Sequence, residues 1–496
     1  MFSAIVKKEI LDALSSARFI ITTLLCLLLI PLGVFVNLKD YQKRETEYHQ
    51  AQDLAKERLA LMSLAYDSQA EGYRPPSVLG IFSTGLESTL PNTIRTSREG
   101  EYRLGREQAS LGNLDALLFG RMDLLFNVGL VLSLLALAFT HGLIPAEKEG
   151  GTLRLLLSFP IGRTRLLFAK LLGSYLVFLL PFSISVAMAF ALFVWGGGGR
   201  ANIAESIPSI LVVLAATLIY LFALFCLGLL ISTFNRKTAT AALASLLVWC
   251  VLILAYPKIA PSISEFLYPL PNRAIIDLQE SVVRRAIEER KTAECDLALG
   301  NLATELANVI VKGESSNDRA NPEAKGKTWA DMYHDIEEAY APIAARYAHE
   351  TDSVVSEIEG PYRLQEQRQS RLSRTLGRLS PLGCYTYFVT ALCATGVPEV
   401  ENLTARARAF QEKADEEYYG RFIVRKFGRN VSLSGSSALL HPPGGVTRPQ
   451  LPEFEYRRPA LSGILSGQWP DIVILFGFAL GCMGLSHYRF TRYDAR

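Results

Sequence analysis

Long uncharged runs alternate with polar segments along this chain. Six of these runs are predicted to cross a bilayer, because each is apolar and holds at least 17 residues without Asp, Glu, Lys or Arg, and about 17 to 25 apolar residues are enough for a helix to do so. The pattern therefore predicts a mainly α membrane protein with six transmembrane helices. Their predicted bounds are residues 19–38, 124–146, 171–195, 207–233, 238–257 and 472–488.

The N-terminal segment, residues 1–18, has a different pattern. Its apolar residues recur at helical spacing between charged residues such as Lys7, Lys8 and Glu9, which is typical of a helix lying in the membrane interface. A cleaved signal peptide is the competing interpretation. Because the apolar run 19–38 is longer than the roughly 7 to 15 residues of a signal peptide's apolar region and no convincing small-residue cleavage site follows it, we expect it to remain as the first span.

Two polar segments are long enough to fold as domains outside the membrane. Residues 39–123 begin with a helical pattern and continue with turns and short extended pieces, so we predict a small α+β or irregular extracytoplasmic domain. Residues 258–471 are too long for a loop. Within them, 273–311 and 329–378 place apolar residues three and four apart among many charges, which predicts a large, mostly helical extracytoplasmic domain.

One further apolar stretch, Leu379–Gly396, has only 18 residues. It could form a seventh span. We favour a helix packed on the outer leaflet or in the domain core, because a seventh crossing would put the C-terminal tail on the wrong side of the membrane. Just before it, five arginines between Arg363 and Arg378 favour a solvated helix face over a groove for an anionic ligand.

The placement of charge predicts the orientation. A net charge of +3 is too small to indicate a nucleic-acid surface, but the basic residues are unevenly distributed. Thirteen lie in the N-terminal segment, the 147–170 loop, the turn at 236–237 and the tail 489–496, against one, Arg200, in the short loop on the other side. Lys and Arg in short loops mark the cytoplasmic face, so both termini are predicted to be cytoplasmic.

The predicted cytoplasmic loop, residues 147–170, reads EKEGGTLRLLLSFPIGRTRLLFAK. Thr152 to Leu157 can form a helical turn with its leucines on one side, and Pro160 ends it. An apolar side of this kind favours contact with another surface. A solvated charged hairpin, which would not need such a side, is the competing interpretation.

This loop resembles the first cytoplasmic loop of type 2 ABC exporter permeases, whose pattern is Glu-x-Glu-x-Gly-Thr-Leu, a leucine-rich turn, Pro-x-x-Arg and then Gly-Lys or Ala-Lys. In that family the loop is a coupling helix that docks in a cleft on a separate ATPase subunit. The chain departs from the pattern at Gly142 and Pro145–Ala146, where related chains often carry Asp and Ser-Gly. The resemblance implies a coupling role for Glu147, Glu149, Gly151, Thr152, Leu153, Arg154, Leu156, Pro160, Arg163 and Lys170.

The resemblance also implies partners and a location. The chain would be a non-catalytic subunit without a cofactor of its own, with ATP and Mg²⁺ bound by two copies of an ABC ATPase subunit. A second permease copy or a close paralogue would complete the complex in the bacterial inner membrane, in contact with membrane lipids. The C-terminal FTRYDAR, residues 490–496, resembles the ending of permeases grouped with copper-enzyme maturation systems.

Motifs for chemistry are weak in this sequence. Gly326-Lys327-Thr328 is the end of a phosphate-binding loop, but position 321 is Asn where the motif requires Gly. No HExxH, GxSxG or GxGxxG motif occurs. The cluster His334, Asp335, Glu337 and Glu338 is better explained as a charged helix face than as a metal site.

Histidine and cysteine add little. His141, near the inner end of the second span, is either a functional ionisable residue or simply a solvated one. Of the seven cysteines, Cys295, Cys384 and Cys393 lie outside the spans, so at most one disulfide could form among them. No zinc-binding spacing is present.

Three functions remain open from the sequence. The first is ATP-driven export of a lipid-like or polymeric substrate by a permease subunit. The second is mechanotransmission, in which no substrate crosses the membrane and the outer domain acts on a periplasmic protein. The third is a membrane-tethered extracytoplasmic receptor that has no ATPase partner.

Overall fold

The computed structural model describes residues 2–62, 71–96, 102–105, 122–153, 156, 162–196, 203–315, 329–414 and 453–492. Fourteen α-helices are used below: α1 Phe2–Leu14, α2 Ala17–Met62, α3 Leu124–Phe126, α4 Ser133–Thr140, α5 Pro145–Glu149, α6 Arg163–Trp195, α7 Ile203–Phe234, α8 Thr238–Trp249, α9 Tyr256–Leu267, α10 Arg273–Ser315, α11 Trp329–Gly377, α12 Pro381–Leu392, α13 Val397–Ala414 and α14 Leu461–Thr491.

Six helical segments are long and apolar enough to cross a membrane, which confirms the predicted fold class. They are Ala17–Glu57, Leu124–Glu149, Arg163–Trp195, Ser206–Phe234, Thr238–Leu267 and Leu461–Thr491, and we refer to them as the first to sixth spans. The fourth span lies at the centre of one large hydrophobic core, with fully buried Tyr220, Leu224 and Phe225. The short helix α1 packs against the third span.

Several helices extend beyond the predicted bounds. The helix of the first span continues from the apolar run through polar residues to Met62. The third begins at Arg163, so Lys170 lies inside a helix rather than in the loop. The sixth begins at Leu461 and includes Asp471. Lys170 and Asp471 are tolerated there because each is buried against opposite charge.

Two spans contain π-helical segments, which the hydrophobic pattern did not reveal. Asn127–Leu132 joins α3 to α4, and Cys250–Ala255 joins α8 to α9. A π-helix has a widened turn that changes the hydrogen-bond register. Side chains bond to a carbonyl in each segment: Tyr220 Oη donates to Gly129 O at 3.1 Å, and Ser380 Oγ donates to Leu252 O at 2.7 Å.

The apolar stretch before Gly396 forms the short helix α12 within the core of the bundle. Its Tyr385 stacks on Tyr220 with ring centroids 4.6 Å apart, and the Tyr385 and Thr217 hydroxyls lie 3.0 Å apart. Twelve residues give a helix of about 18 Å, which is shorter than the roughly 30 Å hydrocarbon core. The helix therefore lacks the length of a seventh span and packs on the fourth and sixth spans instead.

The two predicted outer domains share a hydrophobic core. Strands β1 Glu71–Tyr73, β2 Thr93–Thr96 and β3 Tyr102–Gly105 form an antiparallel sheet in the order β1-β2-β3. Ile94 of the sheet packs with Phe410 of α13, and Phe454 packs against both. The sheet and the later segment therefore form one folded unit.

Among the described residues, α10 and α11 form a long antiparallel hairpin, which we call the outer hairpin. These helices match the two helical patterns predicted at 273–311 and 329–378. Ion pairs join the two helices, including Arg290 Nη2 to Glu350 Oε1 at 2.6 Å. A hydrogen bond from Arg346 lowers the pKa of the Glu294 carboxyl.

Candidate functional site at the basic end of the bundle

One end of the bundle carries residues 141–153, 156, 162–165, 235–238 and 487–492, and we call it the basic end. The opposite end, which carries the sheet and the outer hairpin, is the domain end. Contacts between these segments bring them together: Arg163 Nη1 donates to Thr491 O at 2.5 Å, and Thr164 Oγ1 lies 2.8 Å from His487 Nε2. The start of α6, with the predicted coupling residue Arg163, therefore adjoins the end of α14.

Residues 145–153, which we call the charged turn, lead out of the second span. Regular helix ends at Thr140, turn residues follow at 141–144, and α5 forms the last part of the second span and the first part of the charged turn. Pro145 fits at the first turn of α5 because those positions do not need an amide donor. Gly151 has φ +69° and open space around its Cα, a backbone conformation that favours glycine.

Three consecutive charged residues of this turn bond to three different helices. Glu147 Oε1 lies 2.6 Å from Lys170 Nζ in the third span. Lys148 Nζ donates to Thr233 O at 3.2 Å and to Asn235 O at 3.0 Å, at the end of the fourth span. At the start of the fifth span, the Thr238 hydroxyl donates to Glu149 Oε2 at 2.7 Å.

The arrangement suits the helix ends electrostatically. The last carbonyls of a helix lack partners inside the helix and carry partial negative charge, so the Lys148 ammonium stabilises the end of the fourth span. The first turn of a helix attracts a carboxylate for the opposite reason. Glu149 therefore stabilises the start of the fifth span.

Lys170 holds two carboxylates at once. Its ammonium lies 2.6 Å from Glu147 Oε1 and 2.6 Å from Glu9 Oε1 in α1, and its side chain is 3% exposed. Glu147 Oε2 is buried without a hydrogen-bond partner among the described residues. One cation and two carboxylates leave a formal charge of −1 in a largely buried position, so Lys170 is what keeps the two anions together.

A close helix approach makes this cluster possible. A Cβ atom at Gly173 of the third span would lie 2.9 Å from Glu9 Cβ and 3.3 Å from Val6 O. A side chain there would push α1 away, and the carboxylate of Glu9 would then lose Lys170. Gly173 therefore lets α1 lie close enough to the third span for Glu9 to reach Lys170, the residue that also pairs with Glu147 of the charged turn.

The structure divides the predicted coupling residues by exposure. Glu149, Gly151 and Thr152 are exposed, whereas Leu153 is 3% exposed and Leu156 is partly buried against the main core. The described leucines of the predicted apolar side thus anchor the turn to the chain's own core. Two predicted residues, Arg154 and Pro160, lie outside the described residues.

Other sequence candidates contribute little to this site. Arg18 Nη2 lies 3.4 Å from His141 Nε2, which places this histidine beside a cation at the basic end. Gly326-Lys327-Thr328 and the side chains of His334, Asp335, Glu337 and Glu338 lie outside the described residues. Within the described ranges, no group of His, Cys, Asp and Glu is arranged to hold a metal ion. All seven cysteines are free.

Sequence reasoning missed Glu9 and Lys148 as parts of the site. Glu9 is one of several charges on an amphipathic helix, and nothing in its local sequence distinguishes it from Asp12. Lys148 serves in the sequence pattern only as a marker of orientation. Both acquire a role through residues far along the chain, at positions 170 and 233–235.

Comparison with known families decides what kind of bundle this is. Residues 3–495 match the family described as ABC-2 family transporter protein. The chain belongs to this family. A comparison with curated proteins gave no match.

Membership in the ABC-2 family has two direct consequences. The chain is the multi-pass membrane permease component of an ABC transporter. An ABC ATPase partner is implied by the family.

Proposed function

We propose that the chain is an ABC exporter permease whose charged turn binds the ATPase subunit at the cytoplasmic face of the bacterial inner membrane. The observation that carries this proposal is the bonding of Glu147, Lys148 and Glu149 to the third, fourth and fifth spans. A force applied to this turn reaches three spans directly. The basic residues at this end favour a cytoplasmic location for it and for both termini.

The exposed part of the turn is the docking surface in this proposal. Glu149, Gly151 and Thr152 face solvent, while Leu153 holds the turn to the core. The ATPase must bind the turn differently in its ATP-bound and nucleotide-free states, because a ligand shifts an equilibrium only by its differential affinity for the two states. ATP and Mg²⁺ bind to the ATPase partner in this scheme.

Two permease copies and two ATPase subunits form the complex in this proposal. An apolar cavity of about 40 Å³ lies between the first, third and fourth spans, lined by residues that include Val34, Phe190 and Leu214. It holds at most a few water-sized groups, so it is too small for a lipid-like or polymeric substrate. We therefore assign the substrate path to the seam between two copies.

Capture of the ATPase tests the docking surface. The chain is co-expressed with candidate ABC ATPase subunits from its source organism, and recovery of an ATPase subunit with the tagged permease is measured. Thr152→Trp places a bulky side chain on the exposed turn and should lower recovery at least tenfold, because about 1.4 kcal/mol of lost affinity is tenfold. Thr240→Trp is the matched control at an exposed threonine of the same end.

Each outcome separates the alternatives. Equal recovery with both tryptophan variants would remove the charged turn as the docking surface. Failure of the wild-type chain to retain any ATPase subunit would favour the tethered receptor.

Mechanotransmission is the second candidate function, and the outer hairpin favours it. Helices of 43 and 49 residues project from the bundle and are tied to the fifth and sixth spans at their base. ATPase activity stimulated by a lipid or polymer would support export, whereas stimulation by a soluble outer protein would support mechanotransmission. The ending at residues 490–496 supports a place among permeases grouped with copper-enzyme maturation systems.

A further inference from the structure

The base of the outer hairpin is joined to the sixth span by an ion pair between a partly exposed arginine and a buried carboxylate. Arg378, directly after α11, donates to Asp471 from Nε to Oδ1 at 2.5 Å and from Nη2 to Oδ2 at 3.1 Å. Asp471 is fully buried inside α14. The hydrogen bonds to Asp471 are the largest cause of the raised pKa of the Arg378 guanidinium.

Contacts of another kind join the hairpin to the fifth span. Tyr256 Oη donates to Leu376 O at 3.0 Å, and Gln369 Nε2 donates to Tyr268 O at 3.0 Å. These are single neutral hydrogen bonds to backbone carbonyls. The fifth span also packs along α11 and so holds it through contact area, whereas the charged, two-pronged contact with the sixth span is stronger than any one of these bonds and more restrictive in angle.

The hairpin has little freedom to pivot on its own at this point. A Cβ atom at Gly383 would collide with Gly377 O, and one at Gly377 would collide with Tyr387 Oη. The end of α11 is therefore packed tightly against α12. Since α12 packs on the fourth and sixth spans, the end of α11 is held to these spans through α12 as well.

We propose that Arg378 and Asp471 are a positioning pair that makes the outer hairpin follow the sixth span through the transport cycle; this rests on the proposed function. The hairpin magnifies small movements. Glu350 lies 27 residues beyond Gly377 along α11, about 40 Å at 1.5 Å per residue, so a tilt of about 5° at the base displaces it by about 4 Å.

Distances between paired spin labels test this proposal. One pair joins the hairpin to the sixth span, Leu297→Cys with Trp469→Cys, and the other joins it to the fifth, Leu297→Cys with Phe266→Cys; all three residues are exposed. Single-label samples identify distances between copies and any labelling of native cysteines. Measurements are made on the full complex without nucleotide and with ATP and vanadate.

In the wild-type chain the hairpin-to-sixth-span distribution should be narrow and unchanged by ATP and vanadate, whereas the hairpin-to-fifth-span distance should change. The paired variant Arg378→Gln with Asp471→Asn removes both charges and leaves no lone buried charge. This variant should broaden the hairpin-to-sixth-span distance distribution about twofold, because the two-pronged geometry is lost.

The charge exchange Arg378→Asp with Asp471→Arg should restore a narrow distribution, a rescue that the loss of packing alone would not allow. Arg290→Gln, which breaks an exposed pair within the hairpin, is the control and should change neither width. A distribution that stays narrow in the paired neutral variant would overturn the proposal. The proposal also fails if both wild-type distances stay fixed with ATP and vanadate while the ATPase remains bound.

Failure of the proposed function gives a different result. If the wild-type chain retains no ATPase, the exporter assignment fails. The width of the hairpin-to-sixth-span distance distribution without nucleotide still decides whether Arg378 and Asp471 position the hairpin. All variants should retain the ATPase equally in the proposed scheme, because residues 378 and 471 lie at the domain end.

Discussion

The two ends of the bundle both bury ion pairs, but they build them differently. At the basic end one lysine, Lys170, is shared by Glu9 and Glu147. At the domain end one arginine, Arg378, holds the single carboxylate of Asp471 with two parallel hydrogen bonds. A lysine ammonium is a compact charge on a flexible stem, whereas the guanidinium fork fixes both distance and angle.

This difference matches what each end has to do in the proposed mechanism. A lysine with two acceptors can keep at least one ion pair as α1 and the charged turn move, because its ammonium can lie closer to Glu9 or closer to Glu147. An arginine locked on one carboxylate keeps α14 and the base of α11 together. The basic end is therefore adaptable, and the domain end is rigid.

The largest expected effect tests whether Lys170 is the sole support of its cluster. Lys170→Met leaves the two carboxylates near each other in a largely buried position without their ion-pair partner, and breaking a buried pair in this way costs about 3–5 kcal/mol. We expect a large loss of folded protein and a lower unfolding midpoint in detergent. Lys7→Met, at an exposed lysine of α1, is the control; equal midpoints for the two variants would contradict the arrangement.

The next prediction extends the comparison from side chains to the backbone of the charged turn. Gly151 has φ +69°, and a residue with a Cβ atom in this conformation costs about 1–2 kcal/mol. Gly151→Ala should weaken ATPase capture while leaving the unfolding midpoint of the bundle nearly unchanged, because the turn is exposed. Gly162→Ala, at an exposed glycine with open space and φ −59°, should leave capture unaffected.

A smaller effect measures the value of having two acceptors. Glu9→Gln leaves Lys170 with Glu147 as a one-to-one pair and should cost about 1 kcal/mol or less, the net worth of a typical hydrogen bond. Asp471→Asn removes the only carboxylate bonded to Arg378 among the described residues and should cost more. Comparison of the two unfolding midpoints decides; a larger loss with Glu9→Gln would reverse our interpretation of the two ends.

The smallest effect concerns the exposed ion pair of Arg346 and Glu294 in the outer hairpin. Its contribution to stability gives a reference for the ion pairs at the two ends of the bundle. The hydrogen bond from Arg346 lowers the pKa of Glu294 below its ordinary 4.5, so the folded state binds this proton less readily than the unfolded state. Stability from the pair is fully present above about pH 4.5 and is lost as the pH falls through the lowered pKa. The difference in unfolding midpoint between wild type and Glu294→Gln should therefore become smaller below pH 4. A difference in midpoint that does not change with pH would contradict this.

The spans could be predicted from sequence because each contains an uncharged run longer than a bilayer requires. The errors at their ends have one cause. A local window excludes Lys170 and Asp471 from the helices because it registers their charge, whereas their partners Glu9 and Arg378 lie 161 and 93 residues away. Only the folded chain brings these charges together.

The site was predictable in part for the same reason. The charged turn could be located from its pattern, but the inward direction of Leu153 depends on packing against several spans. Arg378 belonged to a run of arginines interpreted as a solvated face. That interpretation suits Arg363, Arg368 and Arg371, which are exposed, and it fails for Arg378.

The shared core of the sheet and α13 also constrains how the chain is made. Ile94 leaves the ribosome long before Phe410 and Phe454, the residues that cover it. Contacts between distant parts of a chain form late because loop closure must come first. The three strands therefore wait, incompletely covered, through the synthesis of four further spans, and a chaperone or protease on that side of the membrane can act on them during this interval.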